Sequence, residues 1–223
     1  METLFTIIEY IGVVSFAAAG AMIAIDKETD IIGVLFLSLI TCFGGGIMRD
    51  VILTRGLPLF FTDMTYQIIT AVLTAVIVFV FAALFKKRYV AEEATVVRIN
   101  NVFDALGLGI FAATGMSVCM EYGPFVSIVL AMITAVGGGL IRDVILSDIP
   151  FILRNRVYIV AVLIGASAYY LVASNFESET AGVHVLATVI CVLTVFAIRM
   201  CATVFRWDMP KAIIFSEIEK NEK

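Results

Sequence analysis

Charge is scarce in this 223-residue chain: 15% of its residues are Asp, Glu, Lys or Arg, against roughly 25% in soluble globular proteins. Histidine is nearly absent, with His184 alone, and the four cysteines (Cys42, Cys119, Cys191, Cys201) show no C-x-x-C spacing. These shortages argue against a metal centre and leave no His/Cys/Ser constellation for catalysis, so neither enzyme nor cofactor is expected. The cysteines lie in or at the ends of apolar runs and read as small core hydrophobes. His184, near the start of the last such run, reads as a membrane-interface residue. Glycines do precede a basic residue, but no G-K-[ST] follows, which sets a phosphate loop aside. Nucleic acid is not an expected partner.

What the chain has instead is hydrocarbon: 61% of residues are hydrophobic and the mean hydropathy is +1.06. A lipid-spanning helix needs about 20 mostly apolar residues. Uncharged runs occupy 31–48, 66–85, 105–120, 122–141, 157–176 and 180–198, and Leu4 to Ile25 carries only Glu9. Seven spans follow, and the fold class is an all-α integral membrane protein. They fill nearly the whole chain, so a single transmembrane domain is expected over 1–206, with a cytoplasmic tail at 207–223. Glu2 stands where a secretory signal carries positive charge, so the first span reads as retained. The stretch 88–101, "RYVAEEATVVRINN", reads as a charged, solvated connector.

The chain repeats itself. "SFAAAGAM" (15–22) aligns with "IFAATGMS" (110–117) at a displacement of 95, which also carries Glu9 onto Asp104 and Gly12 onto Gly107. "GGGIMRDVIL" aligns with "GGGLIRDVIL" at 93, carrying Arg49 onto Arg142, and Pro58 meets Pro150 at 92. Each unit therefore holds three spans, repeat one over 4–86 and repeat two over 102–176, with a seventh helix over 180–206. An odd number of crossings inverts the second unit, which is the inverted-repeat plan of many transporters and some channels.

Basic residues set the expected orientation. Lys27, Lys86, Lys87, Arg88, Arg98, Arg154, Arg156, Arg206, Lys211, Lys220 and Lys223 fall on one side, and essentially Arg55 alone on the other. The positive-inside rule makes the first side cytoplasmic, with the N-terminus outside and the C-terminus inside. The outer side collects Glu2, Asp63, Glu121, Glu177 and Glu179, a mouth that attracts cations.

Gly44, Gly45 and Gly46, with Gly137, Gly138 and Gly139, weaken their helices by about 3 kcal/mol per triplet, so a break or kink is expected in the second and fifth spans. Broken backbone at membrane depth is tolerated where it is packed in protein or lines a wet cavity. The competing reading is close helix crossing without a break. Arg49, Asp50, Arg142 and Asp143 are intramembrane charges, which mark function by default, and are expected around a central cavity or its mouths. Glu9 and Asp104, early in their spans, read equally as helix-end carboxylates or as lining a pore mouth. Small-residue faces such as Ala17 to Gly20 and Ala112, Ala113 and Gly115 pack helices within or between protomers.

The doubled "GGGxxRDVIL", the paired "FAA(A/T)G" and the 3+3+1 plan resemble the trimeric intracellular cation channel (TRIC) family, most closely its bacterial and archaeal members, whose repeated domain also carries a glycine-transporter label. The resemblance covers about 4–206. It implies a homotrimer in a prokaryotic plasma membrane, in contact with membrane lipid. Each protomer would hold its own pore, bounded by kinked second and fifth helices and conducting K+ and, less selectively, Na+. The six glycines match the family's kink positions, and Arg49, Asp50, Arg142 and Asp143 its associated charges. Animal relatives have Lys-Glu-Val where this chain has Arg-Asp-Val, so their gating rules do not transfer. The alternative is a secondary transporter of a small solute such as glycine.

Overall fold

In the computed structural model, residues 2–54, 56–150, 153, 157–175 and 181–207 are described. Arg55, Arg154, Arg156, Glu177, Glu179 and the tail from 208 onward, all used in the orientation and tail expectations, lie outside them. The elements are α1 (Glu2–Asp26), α2 (Ile31–Ile52), α3 (Leu59–Thr62), α4 (Thr65–Leu84), α5 (Lys86–Ala91), α6 (Glu93–Cys119), α7 (Pro124–Ile145), α8 (Tyr158–Asn175) and α9 (Ala181–Val204). No strand occurs among the described residues. The seven long helices α1, α2, α4, α6, α7, α8 and α9 are each long and apolar enough to cross a membrane.

Local chemistry sets the ends of these helices. Asp30 caps α2, its carboxylate accepting from the Gly33 N–H at 2.7 Å, and α7 opens on Pro124 behind Gly123 at φ 81°, a turn that glycine permits. The repeats close alike. After α7 the Ser147 N–H donates to the Val144 carbonyl and the Asp148 N–H to the Asp143 carbonyl, the paired bonds of a Schellman motif. Thr54 after α2 and Ser147 after α7 take the left-handed conformation at φ 50° and 56°.

The connector is mostly exposed, as expected, and it is helical. Lys86–Ala91 is a short helix, and the polar residues from Glu93 onward form the first turns of α6. Asp104 therefore lies about three turns inside α6 and Glu9 about two turns inside α1. Helix-end stabilisation fades within one turn, so it explains neither carboxylate.

Lipid tails are as apolar as leucine, so helices associate in a membrane through close packing rather than by escaping water. The core accordingly runs through small residues. Ala17, Ala19, Ala112 and Ala113 are fully buried, which assigns these faces to packing within the protomer. Helix α4 sits at the periphery and turns Ile69, Leu73, Ile77, Phe81 and Leu84 outward.

Equivalent residues of the two repeats meet each other. Phe16 stacks on Phe111 with ring centroids 5.0 Å apart, in contacts where Gly12 faces Ile110 and Phe111 while Gly107 faces Phe16. Gly20 packs on Ser38 and Thr41, and Gly115 repeats this on Ala131 and Thr134. Such reciprocal contacts place a pseudo-twofold axis between α1 and α6 and between α2 and α7, as inverted repeats require.

Candidate functional site

The two glycine triplets meet on that axis. Gly45 packs against the Thr134 carbonyl, and Gly138 returns the contact on the Thr41 carbonyl. A Cβ on Gly44 would lie 3.1 Å from the Gly138 Cα, and one on Gly137 would lie 2.9 Å from the Gly45 Cα. Higher numbers on α2 meet lower numbers on α7, so the helices cross antiparallel. The expected break is corrected: α-helix continues without interruption through Ile31–Ile52 and Pro124–Ile145. The triplets make room for backbone against backbone. The third glycines are different, because a Cβ on Gly46 would meet only the Arg49 Nη2 at 3.8 Å, and one on Gly139 only the Arg142 guanidinium, its Nη2 at 3.5 Å.

Beyond the crossing lie the charges. Arg49 and Arg142 stand about one helical turn past the contact along their own helices, and antiparallel geometry sends them to opposite ends. The four charges thus form two pairs, one at each side of the crossing. Arg49 Nε donates to Asp50 Oδ1 at 2.9 Å, and Asp50 Oδ2 accepts the Leu59 N–H at 3.0 Å. Arg142 Nε likewise donates to Asp143 Oδ1 at 2.9 Å. All four residues are buried. Close to a helix C-terminus the positive guanidinium also opposes the negative end of the helix dipole.

A cavity of about 30 Å³ opens beside Arg49, lined by Gly46, Asp50, Phe60, Phe111, Thr114 and Thr134 among others. That is space for a water or two, less than an ion with its hydration shell occupies. Glu9 lies within the field of Arg49 at this end.

The opposite end contains a partner that the sequence reading missed. Asp104 Oδ1 accepts from the Tyr158 hydroxyl at 3.0 Å, its Oδ2 lies 3.5 Å from Arg199 Nη2, and the Arg199 guanidinium sits 4.5 Å over the Tyr158 ring. Arg199 is 3% exposed. The available signal was that it is the sole Asp, Glu, Lys or Arg in Ala181–Val204.

Elsewhere, the His184 ring lies 3.2 Å from the Tyr169 hydroxyl, which gives that histidine a protein partner. On the face where α5 joins α6, Asp26, Glu28, Tyr89 and Glu93 line an open hollow. Burial there, with Asp26 nearby, pushes the Tyr89 phenol up to about 12. No group of residues suited to hold a metal ion occurs among the described residues.

The family model described as "Glycine transporter" matches residues 6–83 and 101–174. The inner membrane protein YadS of Escherichia coli K12 is 32% identical over 212 residues, covering 91% of this chain and 92% of that protein. A solved structure described as the basis for conductance through TRIC cation channels is 31% identical with TM-score 0.79, covering 94% of this chain and 98% of its own. The TRIC trimeric intracellular cation channel orthologue from Rhodobacter sphaeroides is 30% identical with TM-score 0.78, covering 92% and 100%.

Proposed function

We propose, from the premise that this chain belongs to the trimeric intracellular cation channel (TRIC) family, that it is a passive channel for monovalent cations, K+ and less selectively Na+. The observation that carries this reading is the pair of buried Arg-Asp units on either side of a glycine-to-glycine crossing. Charges are kept at membrane depth where they pair with one another or border a wet path. The crossing of α2 and α7 then forms the constriction of a pore within each protomer of a homotrimer. In the open state we expect both helices to bend at the triplets, where three glycines make bending least costly.

Repeat one (4–86), repeat two (102–176) and the seventh helix (180–206) together form the channel domain, followed by the tail at 207–223. Glu9 borders one mouth and Asp104 the other. Lys27, Lys86, Lys87, Arg88 and Arg98 place their face in the cytoplasm by the positive-inside rule, with the N-terminus outside, in the inner membrane of a prokaryote.

The test is planar-bilayer recording of the purified protein under a KCl gradient. Discrete openings reversing near the K+ equilibrium potential support the channel. A silent bilayer, together with saturable glycine uptake into liposomes from the same preparation, replaces it with a carrier.

A further inference from the structure

Helix α9 belongs to neither repeat, so a charge it brings to the pathway acts at one end only. Arg199 is that charge. It joins Asp104, Tyr158, Arg142 and Asp143 in one buried group, since Asp104 interacts electrostatically with Arg142 and Asp143 as well as with Arg199.

The equivalent positions of repeat one are built differently. Tyr66 corresponds to Tyr158 at a displacement of 92, yet Tyr66 is 74% exposed and Tyr158 only 5%. Glu9 corresponds to Asp104, and no arginine from a further helix pairs with it among the described residues. The end holding Glu9, Arg49 and Asp50 therefore has one carboxylate in excess. At the other end, among the described residues, Asp104 and Asp143 meet Arg142 and Arg199.

We propose that Arg199 makes the pore electrically asymmetric by cancelling Asp104 at one mouth while Glu9 remains uncancelled at the other, so that cations collect at the Glu9 mouth and the current rectifies. The proposal rests on the channel reading above. A fixed charge at a mouth changes the local concentration of permeant ions, and one unit charge about 10 Å from the ion path changes it about two-fold. The effect is screened over about 8 Å at physiological salt.

Single-channel current–voltage curves of the full chain in symmetric KCl test this. At about 0.01 M salt, where the screening length is about 30 Å, the wild type is expected to rectify about 1.6-fold, and at about 1 M the ratio should approach one as screening tightens. Asp104→Asn makes its mouth net positive and increases rectification. Arg199→Gln leaves Asp104 uncancelled as well and reduces it. The double variant restores the charge balance and should return to the wild-type ratio, which a purely structural role for the pair would not produce. Shifts of the two single variants in the same direction, an ohmic wild type, or a double variant unlike the wild type would each overturn the proposal. Should Arg199→Gln fail to assemble, Asp104→Asn and the double variant still decide the sign. Complete silence from the assembled wild type would instead remove the channel reading on which the proposal stands.

Discussion

Phe16 and Phe111 stack on each other with an interplanar angle of 25°, and they are the same residue of two inverted repeats. A contact between equivalents lies on the symmetry axis. The same axis passes through the glycine crossing, where Gly45 against Thr134 is returned by Gly138 against Thr41. Predictions follow from what that axis holds close together.

Within each triplet, the glycines should not be interchangeable. Gly45→Ala and Gly138→Ala drive a methyl group into the backbone of the facing helix, and overpacking of this kind costs about 1–3 kcal/mol. Gly46→Ala and Gly139→Ala meet only the end of a flexible arginine, and should be neutral or stabilising, since alanine is favoured over glycine in a helix by about 1 kcal/mol. Thermal unfolding in detergent compares them, and equal losses at all four positions would refute the packing account.

The buried Arg-Asp pairs should be intolerant of losing one member. Asp50→Asn takes from the Arg49 guanidinium, 2% exposed, the carboxylate bonded to it, a change that costs about 3–5 kcal/mol in comparable buried pairs. Asp143→Asn should behave similarly opposite Arg142. Denaturation measurements showing less than about 1 kcal/mol, the range of exposed pairs, would mean that water reaches these groups.

Two helix ends carry strain that glycine relieves. Thr54 and Ser147 adopt positive φ, which costs a residue with a Cβ about 1–2 kcal/mol, more evidently for the β-branched threonine. Thr54→Gly and Ser147→Gly should each raise stability by about 0.5–1 kcal/mol after the entropy of glycine is subtracted. A lowered melting temperature in both would show that the side chains contribute more than the turn.

Cysteine reactivity should follow burial. Cys42, Cys119 and Cys191 are buried, and Cys201 is partly exposed near the end of α9. Short maleimide treatment of the folded protein, read by mass spectrometry, should add one label at Cys201, with the other three reacting only after denaturation. Early labelling of Cys42, whose thiol donates to the Val13 carbonyl at 3.4 Å, would reveal opening between α1 and α2.

Seven spans, their inverted repeat and the paired Gly-Arg-Asp segments were legible in the amino-acid order, because hydrocarbon runs and motif spacing are local and periodic. The start of α6 was not. The charges in 88–101 suggested solvation, and most of those residues are exposed, but charge does not distinguish coil from a helix end projecting from a membrane, which accepts charged residues wherever their heads reach water.

Sequence alone determined which residues are doubled and that both units carry an intramembrane arginine beside an aspartate. Whether each glycine triplet breaks its helix or admits a neighbour was decided only by the tertiary structure: the helical penalty is the same, and the facing backbone that offsets it belongs to a segment ninety residues away. Arg199 was likewise silent until folding brought α9 against Asp104 and Tyr158. A charge shows its partner in space, and no repeat in the chain pointed to it.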